Sequence, residues 1–163
     1  EAKEPVVEMF RREFIMKNII WAIRLKVYYD MSVEEIKTHL AYVDEKPGKS
    51  DPVYGPALDA AEKAVDSYED WSSWKYASFL NPHEEGNVWK IDPRWVESSF
   101  RVDDSRRAEK LFHAFPLTVA VPVAWFKIKQ HELDCIRTAT ESIRLSADSS
   151  EAMKAAGITA AVN

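Results

Sequence analysis

The chain has 163 residues, a formal net charge of -5, 46% hydrophobic residues and 30% charged residues. That length is enough to bury a core, and the composition excludes wholesale disorder. The acidic balance excludes a nucleic-acid backbone as the main partner, which needs clustered excess Lys and Arg, and four glycines leave little material for phosphate-cradling loops.

The first predicted helix begins near Pro5, a residue tolerated in a first turn. Met9, Phe10, Phe14, Ile15, Ile19, Ala22, Ile23 and Val27 recur at three- and four-residue steps, the spacing of one helical face. Ile20, Trp21, Leu25 and Tyr28 widen the stripe, as in a central helix packed on several neighbours. The helix should run to about Tyr29, roughly 35–40 Å at 1.5 Å per residue. Ser32 with Glu35 three positions on is a capping box, predicting a second helix through about Tyr42.

Asp44 to Pro56, rich in proline and glycine, reads as a mobile surface loop. Pro56 then opens a helix with Leu58, Ala61, Ala64 and Val65 inward, and Asp70 caps a stretch through Phe79. Asn81 to Asn87 is a second polar loop. Asp92-Pro93 is a start signal, with Asp as N-cap and Pro in the first helical position, for a helix to Phe112 that weakens at Asp103-Asp104. The last helix is expected from Phe115 to Ser146. Its first part, Pro116 to Phe126, is apolar but too short to cross a bilayer, and is expected to be buried. Val88 to Ile91 alternates but is too short and isolated to build a sheet. The fold class is therefore all-α, a bundle of long helices with short return helices.

No catalytic constellation emerges. Glu109 and His113 lie four apart on one helix face, and His131 neighbours Glu132 and Asp134, but neither group has the third converging ligand that a metal site needs. Both read as solvated helix-surface pairs. Asp103-Asp104 with Arg106-Arg107 lacks the glycines or lysine of a phosphate or magnesium site. His39 and His83 lack partners at ligand spacing. The hydroxyls from Thr138 to Ser142 have no motif to activate them. Cys135, the single cysteine, reads as a small core residue in a reducing compartment. No enzyme activity, cofactor or metal is expected. Trp71, Trp74, Trp89 and Trp95, with Tyr68 and Tyr76, read as a satellite core in preference to a ligand pocket or an interface.

Two segments share a design. Ile23-Arg24 and Ile136-Arg137 each sit mid-helix, and each helix leads through a polar turn towards an acidic short helix, with Glu34-Glu35 or Glu151. This predicts one helical domain in which 1–42 and 115–157 are pseudo-repeat units, or lobes, and 43–114 is a loop- and Trp-rich excursion. Arg24 and Arg137 either snorkel to solvent or pair with a carboxylate, Glu13 or Glu132, to fix helix register. The chain begins at Glu1 without a methionine or a signal layout, which reads as a fragment of a longer protein.

The C-terminal run Trp125-Phe126-Lys127-Ile128-Lys129, Glu132-Leu133 and Ile136-Arg137 resembles the end of the C/d family of connector subunits in V-type and A-type rotary ATPases. Asn18-Ile19, Arg24 and Glu34-Glu35-Ile36 resemble that family's Asn-Ile, Arg and Glu-Glu-Ile pattern in another lobe. Pro116 stands where the family has a small glycine. The matched motifs cover about a third of the chain and are helix-packing signatures, with Asn18, Arg24, Glu35, Glu132 and Arg137 as the signature residues. The resemblance implies a non-catalytic, funnel-like protein of three helical lobes, of which this chain is the C-terminal part. Such a protein is cytoplasmic and peripheral to the membrane, has no transmembrane segment, and links rotor-ring subunits to central-stalk subunits in support of proton or other ion transport. A stand-alone helical adaptor, binding a partner helix in an aromatic groove, is the alternative.

Overall fold

The broad apolar stripe of the first segment winds it into α1 (Lys3–Tyr29), which ends where Asp30 enters the left-handed region at φ 52°. The computed structural model describes residues 3–83 and 86–146. Among the described residues there follow α2 (Val33–Lys37), α3 (Tyr54–Glu62), α4 (Tyr68–Ser72), a 3-10 turn (Ala77–Phe79), α5 (Pro93–Ala114) and α6 (Ala120–Arg144). No strand occurs among them. The protein is all-α.

These residues fall into two compact units. One is drawn from Glu1–Phe10 and Ser98–Asn163, the other from Arg11–Glu97, so the units cut across the segments 1–42, 43–114 and 115–157. The unit from Arg11–Glu97 is built around α1, whose Met16, Ile19 and Ala22 are wholly buried. Most of its aromatic residues form the expected core. Trp71 packs edge-on against Trp74 at 5.0 Å, and Trp74 against Tyr76 at 5.3 Å. The Trp71 indole N–H donates to Ala64 O at 2.7 Å and the Trp89 indole to Asn81 O at 3.1 Å, so both buried donors are satisfied. Trp95 is the exception, exposed on α5. The stretch from Asp70 to Phe79 is not one helix, however. It breaks after Ser72 and resumes as the 3-10 turn.

In the other unit Met9, Ala108, Leu111, Ala120 and Ala124 form the buried cluster, with Val6, Phe112, Phe115, Val123 and Ile128 packed against it. Asp92 caps α5 as its sequence requires, accepting from Arg94 N–H at 2.9 Å. The helix passes Asp103-Asp104 without a break, and an Asp103–Arg107 ion pair of 2.7 Å supports it there.

Further expectations need correction. α3 runs from Tyr54 to Glu62, so it opens before Pro56, and Ala64 and Val65 lie past its end, Ala64 exposed. α2 ends at Lys37 rather than near Tyr42. It closes locally where the Thr38 hydroxyl donates to Glu35 O at 2.7 Å, and the backbone of Ala41 is engaged by a side chain from α1. α6 starts at Ala120, not Phe115. Pro122 has no N–H and its ring crowds the carbonyl four residues back, so it fits only the first turn, as it does here. The preceding turn carries Leu117 at φ 61° and is tied by Thr118, whose hydroxyl donates to Phe115 O at 2.7 Å. Nor is the run from Pro116 to Phe126 a buried helix. Ala120 and Ala124 are its buried residues, while Leu117, Val119, Trp125 and Phe126 are exposed.

Candidate interaction surface

Asn18 sits one turn along the buried face of α1 from Ala22, and its side chain is itself buried. Its amide acts as an extra peptide unit. Nδ2 donates to Ala41 O at 2.9 Å and to Val53 O at 3.1 Å, while Oδ1 accepts from Ala41 N–H at 2.9 Å. One α1 side chain thereby fixes both ends of the segment between α2 and α3.

The middle of that segment is held by Asp51, only 1% exposed. Its carboxylate accepts the N–H groups of Val43, Asp44, Val53 and Tyr54, each at 2.8 Å. Burial favours the protonated acid, but the four backbone donors outweigh it and hold Asp51 well below the usual carboxylate range. The expected mobile loop is therefore pinned at its centre. The sequence alone does not single out Asp51, although Asp51-Pro52 repeats the Asp92-Pro93 start signal and precedes α3.

Glu35 completes the capping box of α2. Ser32 N–H donates to Glu35 Oε2 at 2.8 Å, Glu35 N–H donates to the Ser32 hydroxyl, and the hydrogen bonds from Ser32 lower the Glu35 pKa. Lys26, one turn before the end of α1, points its ammonium at the carboxyl end of α3. It donates to Ala61 O and Lys63 O at 2.5 Å each, and burial lowers its pKa.

Arg24 forms an ion pair with Glu97 of α5. Glu13 cannot be its partner: eleven residues along α1 put the two groups about 16 Å apart, and Glu13 pairs with Lys17 at 2.9 Å. Arg137 lies in a different setting. It is exposed on α6, with Asp134 at 3.8 Å, while Glu132 pairs with Lys129 at 2.6 Å. Glu132 and Arg137 are five residues apart, which points them to different sides of the helix. The acidic helix expected around Glu151 lies outside the described residues.

α6 carries apolar residues on two faces. Ala120, Val123, Ala124 and Ile128 pack into the core of its unit, and further along the same half-buried side reads His131, Cys135, Thr138 and Ser142, small or polar. The opposite face exposes Trp125, Phe126, Leu133, Ile136 and Ile143, the last at 80%. A row of large exposed apolar side chains at helical spacing marks an interaction surface.

The candidate chemical groups do not converge. Glu109 and His113 are exposed on α5. Among the described residues no three His, Cys, Asp or Glu side chains are grouped as a metal would require. Cys135 is half-buried with its Sγ 3.7 Å from His131 Nε2. Burial and then Asp134 push its thiol pKa up, away from the thiolate a nucleophile needs. His83 stacks on Tyr68 at 4.5 Å. Among the described residues no helix is long and apolar enough to cross a membrane.

No protein-family model matches the chain, and no solved structure matches it. A protein of Treponema pallidum (strain Nichols), described as uncharacterized, is 26% identical over 135 residues. The match covers 83% of this chain but 40% of the Treponema protein, so the chain spans well under half the length of that relative.

Proposed function

We propose that this chain is part of a non-catalytic coupling subunit of a rotary ATPase of the V or A type, one of the C/d kind, joining the central stalk to the membrane rotor ring in support of ion transport. The observation that carries this reading is the use made of Asn18, Arg24 and Glu35. Asn18 holds Ala41 and Val53 and Arg24 holds Glu97, each tying one element to another, while Glu35 caps its own helix, α2. Residues spent on locking helices suit a part that passes force between neighbours. Directional hydrogen bonds and ion pairs fix the register of one element against another, in addition to the resistance that close-packed apolar side chains supply.

In this reading the protein works at the cytoplasmic face, peripheral to the membrane, with ring and stalk subunits as its partners. Its mixed-charge exterior makes those contacts salt-sensitive, since exposed charges are screened over about 8–10 Å at ordinary ionic strength. The adaptor reading has less support, because Trp71, Trp74 and Trp89 are already buried against their own unit. The test is affinity capture by the full-length protein of its organism's rotor-ring and stalk subunits at low and high salt. Retention of both at low salt and their loss at high salt is expected. Retention of neither at low salt overturns the proposal.

A further inference from the structure

We draw no further inference here: the strongest candidate, the outward apolar face of α6 from Trp125 to Ile143, is a row of exposed side chains, and nothing in the structure shows what covers it.

Discussion

The side chain of Asn18 and the backbone of Ala41 form a reciprocal hydrogen-bonded pair, each donating to the other at 2.9 Å. The geometry copies the pairing between two peptide units, and it keeps Ala41 out of α2, which closes locally where the Thr38 hydroxyl donates to Glu35 O at 2.7 Å. A helical Ala41 would have to give its N–H to the carbonyl four residues back. A third bond, to Val53 O, makes Asn18 the point at which α1 holds the start of α3.

Asn18→Ala should therefore cost about 2–3 kcal/mol, since it strands partly buried backbone groups that have no other partner of equal geometry. For a chain of this length that is a fall in Tm of roughly 5–10 °C, measured by calorimetry. Asn18→Asp should be worse, because it faces a carboxylate with the carbonyls of Ala41 and Val53. Retention of wild-type Tm in both variants would remove Asn18 from the account.

Asp51 links stability to acid. Its pKa is lower in the folded chain than in the unfolded one, so its contribution is fully present above the ordinary carboxylate range. That contribution is lost as pH falls through the folded value. Asp51→Asn cannot accept four N–H donors, and should lower the unfolding free energy at pH 7 while flattening the decline in stability below about pH 4. Urea melts from about pH 2.5 to 7 read both effects. Parallel pH curves for wild type and variant would contradict the assignment.

The two tryptophan environments should separate cleanly. Trp71, 1% exposed and bonded to Ala64 O, should cost about 3–5 kcal/mol when replaced by alanine. Trp125, half exposed on α6, should leave the stability of the monomer within about 0.5 kcal/mol. Chemical denaturation at low protein concentration distinguishes them. Equal losses at both sites would mean that α6 is covered in the monomer.

Arg24 and Glu97 are each partly buried, so their pair should fall between exposed and fully buried ion pairs. A double-mutant cycle with Arg24→Met and Glu97→Gln should yield a coupling energy of about 1–2 kcal/mol. A value near zero would leave Arg24 as a snorkelling side chain.

Two helix starts are legible in the sequence because their signals are local. Ser32 with Glu35, and Asp92 with Pro93, each specify a cap within four residues, and both caps form. What is not legible depends on distant groups. No local pattern tells that Asn18 will take Ala41, so periodicity alone makes α2 too long. Asp51 lies in a stretch whose prolines and glycines signal a loop without saying which carboxylate gathers its N–H groups. α6 misleads for another reason. Apolar residues are assigned to a core by default, and nothing within one chain marks a seam that faces outward. Arg24 and Arg137 also look equivalent in sequence, yet one reaches α5 and the other stays on its own helix.

The proposed coupling role is tested most directly by ATP-driven ion uptake in membrane vesicles stripped of the protein that carries this chain. Without it, the catalytic head should still hydrolyse ATP but no ion gradient should form, and adding back the full-length protein should restore uptake. Add-back of an Asn18→Asp form should restore less. Ion uptake that proceeds unchanged in stripped vesicles would contradict the account.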